Sequence, residues 1–158
     1  MSFLIRQAEK SDVPTILHFI KGLAEYEHLS HEVVATEELL TESLFSENKV
    51  AYCKLAFEGE TAVGFALYFY NFSTFLGKKG IYLEDLFVDP EQRGKGYGKA
   101  LLVSLAKQAV EEDCGRVEWS VLDWNEPSIN FYKSLGAVPM DEWTVFRLTG
   151  DALKNLGS

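Results

Sequence analysis

Apolar residues recur along this chain with two different spacings, and the switches between them mark out its elements. Residues 3–7 read as a short strand. Ser11 is placed to cap a helix whose apolar stripe is Val13, Ile16, Leu17, Ile20, Leu23 and Ala24. Pro14 is tolerated in its first turn, where a missing N–H costs nothing. After a linker at 27–35, Thr36 caps a second helix that opens with Glu37 and Glu38 and carries Leu39, Leu40, Leu44 and Phe45. Residues 50–57 and 61–70 flank Glu58-Gly59-Glu60, a hairpin signal. The pattern then predicts a loop at 71–79 and a strand at 80–88. A long helix follows, carrying Ala100, Leu101, Leu102, Leu105, Ala106, Ala109 and Val110. Residues 116–122 read as a strand, 127–135 as a short helix stopped by Gly136, and 143–148 as a last strand before a small helix from Asp151. The order β-α-α-β-β-β-α-β-α-β is a mixed α/β layout. It is expected in a single domain over residues 1–158, with no repeat or linker between domains.

Composition narrows the setting. A chain of 158 residues with 47% apolar and 13% aromatic content can build a core without metals or disulfides; at this length about 70% of the unfolded surface becomes buried. The two cysteines, Cys53 and Cys114, allow one bridge by count, but the apolar surroundings of Cys53 suit thiols in a reducing compartment. No apolar run reaches the length of a membrane span, and residues 1–6 lack a signal-peptide plan. The expectation is a cytoplasmic protein with no membrane partner. A formal net charge of −9 argues against a nucleic-acid partner and suits a cationic substrate. His18, His28 and His31 form no metal-ligand pattern, so no metal is expected.

The densest chemistry lies between residues 86 and 102. Leu86, Phe87 and Val88 end a strand that runs through an Asp-Pro turn into Arg93-Gly94-Lys95-Gly96-Tyr97-Gly98-Lys99. Alternate glycines let backbone N–H groups close on a bulky anion, and the helix opening at the last of them aims its positive end at the same place. Arg93, Lys95 and Lys99 add charge, so the segment reads as a diphosphate cradle. Spacing separates the known types. A nucleoside-triphosphate loop would need Gly where Arg93 stands and a hydroxyl where Ala100 stands. A dinucleotide fingerprint would need G-x-G-x-x-G early in the fold and an acid about 20 residues later.

The third pattern, [Q/R]-x-x-G-x-[G/A] after an apolar strand end, resembles the acetyl-coenzyme A loop of the GNAT acyltransferase superfamily, matched by Arg93, Gly96 and Gly98. Together with WNEPSINFYK from Trp124, YLEDLFV from Tyr82 and IKGLAEYE from Ile20, it resembles the spermidine/spermine (diamine) acetyltransferase branch over residues 4–148. The chain is shorter than that pattern between Gly136 and Trp143. The resemblance implies a mostly antiparallel sheet whose strands splay where coenzyme enters, acetyl-CoA as cosubstrate and a homodimer. It implies coenzyme contacts at Leu86, Phe87 and Val88, at Gly94 to Lys99, and at Asn125, Glu126, Pro127 and Ser128. Tyr132 matches the catalytic tyrosine and Glu84 a substrate-contacting acid, while Tyr26 and Glu27 match a polyamine-binding pair.

These residue types suit the chemistry. An alkyl ammonium with a pKa of about 10.4 must lose a proton before it attacks. Glu84 is placed for that proton path, and backbone N–H of Phe87 or Val88 for stabilising the developing oxyanion. Tyr132 can protonate the leaving thiolate after direct attack in a ternary complex. Glu27, Glu84 and Asp85, with Tyr26, can hold a second positive charge on a diamine or polyamine. The alternatives are a thialysine-like amino acid as acceptor, a coenzyme-binding regulatory module with little turnover, and acetylation of protein lysines.

Overall fold

The computed structural model describes residues 2–158 and resolves into two compact units, Met1–Ser120 and Val121–Ser158. The first carries a five-stranded sheet. Its elements are β1 (Phe3–Gln7), α1 (Val13–Tyr26), α2 (Glu37–Phe45), β2 (Tyr52–Glu58), β3 (Thr61–Ser73), β4 (Lys78–Val88), α3 (Tyr97–Glu111) and β5 (Val117–Trp119). The strands lie in chain order, antiparallel from β1 to β4, and β5 joins β4 in parallel. A parallel pair needs a crossover, and α3 supplies it.

Alternation along β2 sends side chains to two faces. Cys53 and Leu55 join Ile16 and Phe19 of α1, Leu44 of α2, Phe65 and Phe87 in one buried cluster, with the Phe19 and Phe65 rings stacked at 5.5 Å. Lys54 points the other way and donates to Ser104 Oγ of α3 at 2.8 Å. That buried ammonium is held below the usual lysine range by desolvation, and the hydroxyl is what makes its burial tolerable. On the same face Tyr68 and Tyr70 meet Gln108 of α3. The helix is thereby fixed in register by polar contacts as well as by Leu101 and Leu105. Both cysteines are free, and burial pushes the Cys53 thiol up.

Several boundaries differ from the sequence expectation. Asp12, not Ser11, precedes α1, because Lys10–Asp12 forms a 3-10 turn. The expected loop at 71–79 is mostly strand: Asn71, Phe72 and Ser73 pair with Gly80, Lys79 and Lys78, and Gly77 closes the hairpin at φ +67°. Pairing across the hairpin outweighs a polar sequence whose intrinsic strand preference is low. β5 is shorter than 116–122 because β4 pairs with only three of its residues. Thr36 caps α2 as expected, accepting from Leu39 N–H at 3.2 Å.

The second unit holds α4 (Glu126–Ser134) and α5 (Gly150–Leu156). The strand expected at 143–148 does not form: these residues take no regular structure and pair with no strand among the described residues. An apolar run is only a strand when a neighbour accepts its backbone hydrogen bonds. Among the described residues no helix is long and apolar enough to cross a membrane, and no group of acids, histidines and cysteines is placed to hold a metal ion.

Candidate functional site

The sheet opens where β4 outruns β5. Ile81, Tyr82 and Leu83 pair with Val117, Glu118 and Trp119, and beyond them, among the described residues, β4 has no strand on that side as far as Val88. Backbone groups from Glu84 to Val88 that face that edge are therefore open to an extended ligand, apart from the Val88 carbonyl, which accepts from Arg93 Nε.

A bulge sits at the same point. Tyr68 faces Leu83 and Leu67 faces Asp85, so Glu84 is the extra residue. One inserted residue reverses the parity of every side chain after it. Leu83, opposite Tyr68, lies on the α3 side of the sheet. Asp85 and Phe87, opposite Leu67 and Phe65, lie on the α1 side. Adjacent Glu84 and Asp85 thus separate: Glu84 is exposed, and Asp85 is half-buried beneath α1. Gly22 makes the approach of α1 possible, since a Cβ there would stand 2.9 Å from the Phe87 ring.

The glycine loop follows β4. Gly94 and Gly96 have φ of +81° and +86°, and a Cβ on either would meet no atom within 4 Å. Both therefore front open space. Gly96 is the N-cap of α3 without any side-chain cap, so the first-turn N–H groups of Tyr97, Gly98 and Lys99 lack intrahelical acceptors. This cradle fits the diphosphate of a coenzyme. Its side chains are less uniformly directed than the sequence suggests. Lys95 donates to Gln92 at 2.8 Å and pairs with Glu58 at 3.4 Å. The Tyr97 hydroxyl donates to Glu58 as well, and its ring stacks on Phe3. Those contacts anchor the loop to β1 and β2 and pull the Glu58 carboxyl below its usual range. Lys99 has no ion pair among the described residues.

Beside β4, a cavity of about 380 Å³ lies under the end of α1. Ile20, Leu23, Leu29 and Val33 give it apolar walls, while Glu27, Glu32 and Asp85 bring three carboxylates. Burial, then the charges of Glu84 and Glu27, raise the Asp85 carboxyl to about 7. Glu27 is also raised, by desolvation. The structure therefore gathers Glu27 and Asp85 at one cavity, with Tyr26 next to Glu27 at the end of α1. It leaves Glu84 on the open edge. Glu32 and its neighbours were missed because 27–35 reads as a linker; Leu29 and Val33 within a polar stretch were the available signal.

Tyr132 and Asn125 to Ser128 belong to the second unit. Asn125 caps α4, its side chain accepting from Ser128 N–H at 3.4 Å, and Pro127 occupies the first turn. Tyr132 lies on the same helix beside Phe131, with ring centroids 5.6 Å apart. Gly136 follows the helix at φ +92°, the expected stop.

Residues 17–137 match the Acetyltransferase (GNAT) family. The thialysine N-epsilon-acetyltransferase of Sus scrofa is 39% identical to this chain, over 98% of it and 97% of its own length. The L-ornithine N5-acetyltransferase of Arabidopsis thaliana is 35% identical, over 95% and 86%. The spermidine/spermine N(1)-acetyltransferase-like protein 1 of Homo sapiens is 34% identical over 98% of this chain but 24% of that longer protein. Among solved structures, an integron cassette protein from the mobile metagenome of V. cholerae superposes with a TM-score of 0.82 at 31% identity, covering 99% of this chain and 98% of that one.

Proposed function

Because the chain belongs to the GNAT acetyltransferase family and is an amine N-acetyltransferase by its relatives, we propose that it transfers acetyl from acetyl-CoA to a terminal primary amine of a diamine or polyamine. The observation that carries this reading is the cavity beside β4. Three carboxylates stand among apolar walls there, and no lysine or arginine lines it. Methylenes suit such walls, and a second ammonium suits their charge. A diamino acid such as thialysine or ornithine is the second reading, favoured by what five relatives are named for. It offers the same two nitrogens but adds a carboxylate, which like charges in the cavity repel.

Coenzyme is held by the amides of Gly94 to Lys99 and by the open edge at Leu86, Phe87 and Val88; contacts from Asn125, Glu126, Pro127 and Ser128 rest on the family resemblance. Acetyl-CoA, as cosubstrate, supplies the activated acyl group. The rest falls to this chain. Asp85 and Glu27 attract and hold the cationic acceptor, with Tyr26 against its methylenes. Glu84, on the solvent side of the bulge, leads the ammonium proton away through water. Tyr132 holds the proton destined for the departing sulfur. The match over 17–137 spans both compact units, which supports one catalytic domain over 1–158. A homodimer, on the resemblance alone, and a cytoplasmic setting, on composition and the N-terminal sequence, complete the proposal.

The test is thiol release with putrescine, spermidine, spermine, lysine and thialysine at matched concentrations. The diamines and polyamines are expected to show the highest kcat/KM. A clear preference for thialysine moves the assignment to the second reading, and no thiol release with any amine favours a regulatory module. Tyr132→Phe should keep coenzyme affinity in calorimetry while turnover falls by about a hundredfold or more. An unchanged kcat would remove Tyr132 from the mechanism.

A further inference from the structure

Arg93 opens the glycine loop, a place where its charge would suit an anion, yet its side chain turns back toward α1. Its guanidinium carbon lies 4.8 Å from the centroid of the Tyr26 ring and 5.3 Å from that of Phe87. Its Nε donates to the carbonyl oxygen of Val88 at 3.1 Å. Tyr26 is the last residue of α1 and adjoins Glu27 in the cavity wall. Phe87 follows Asp85 on the same face of β4. One side chain of the coenzyme loop therefore touches both elements that frame the cavity.

We infer that Arg93 is a positioning residue that ties the coenzyme loop to the acceptor cavity by stacking on Tyr26 and Phe87. This rests on the assignment of that cavity to the acceptor. Ordering the loop around coenzyme then also orders the end of α1, and the acceptor meets a wall already in place. A flat guanidinium can lie on two rings while its Nε–H reaches a carbonyl; an ammonium cannot do both. A simple phosphate contact would need only the charge. Arg93→Lys separates the two roles, since it keeps the charge and removes the plane.

Steady-state kinetics on Arg93→Lys, Tyr26→Leu and the double variant, with spermidine and thialysine as acceptors, test this. Each single substitution is expected to raise the acceptor KM by about two- to fivefold, the size of an exposed cation–π contact. The effects in the double variant should fall short of multiplying, because Tyr26→Leu already removes the stack through which Arg93 reaches the cavity wall, whatever Tyr26 also contributes to the acceptor directly. An acceptor KM unchanged in Arg93→Lys, or effects that multiply in the double variant, would overturn the inference. Glu27→Gln serves as the separate control on the cavity itself. If it leaves the acceptor KM unchanged, the cavity assignment fails whatever Arg93→Lys does. If it raises KM while the Arg93 and Tyr26 effects multiply, only the link through Arg93 is lost.

Discussion

Asp85 owes its behaviour to burial, to two neighbouring carboxylates and to where the strand puts it. Burial comes first, then the charges of Glu84 and Glu27, and together they carry its carboxyl from 3.8 to about 7. The folded protein keeps this proton over a range in which the unfolded chain has lost it. Stability from this residue is therefore full below 3.8 and is lost as pH rises through about 7. Asp85→Asn removes the titration. Urea unfolding should show the variant more stable than the parent at pH 8, by on the order of 2–4 kcal/mol at most, with a flatter dependence below neutrality. A cationic acceptor binds the ionised carboxyl, so kcat/KM of the parent should rise through pH 7. That limb should vanish in Asp85→Asn, whose acceptor KM is higher. Identical pH profiles for the two proteins would show that Asp85 does not face the acceptor.

At the level of elements, the end of β4 and the start of α3 work as one unit. The bulge at Glu84 turns Asp85 and Phe87 toward α1, the missing β5 partner frees the edge, and the loop then delivers uncapped helical N–H groups. Gly96 is the point where this arrangement is most exposed to change. Its φ of +86° costs a residue with a Cβ about 1–2 kcal/mol, and the new methyl would meet no protein atom within 4 Å. The space it would enter is the approach proposed for the coenzyme. Gly96→Ala should therefore lower stability by about that amount, as thermal unfolding will show, and weaken coenzyme binding in calorimetry by roughly tenfold or more. Normal coenzyme affinity in a folded Gly96→Ala protein would mean that the diphosphate lies elsewhere.

Across the whole molecule, what could be read along the chain was whatever depends on near neighbours in sequence. Apolar spacing located α1, α2 and α3, Thr36 and Asn125 announced their helices, and the alternate glycines after Val88 pointed to the family. The segments that failed needed a distant partner. Residues 71–79 became strand because Lys78 to Gly80 answer Ser73 to Asn71, while 143–148 found no ladder and stayed irregular. Only the folded arrangement brings Glu27, Glu32 and Asp85 to one cavity, and only it turns Arg93 onto Tyr26. Local spacing determines which backbone shapes are cheap, so the amino-acid order by itself determined the helices and the glycine loop before α3. Side-chain parity after a bulge and the shift of a buried carboxyl depend on groups far apart in the chain, and tertiary packing alone decided those.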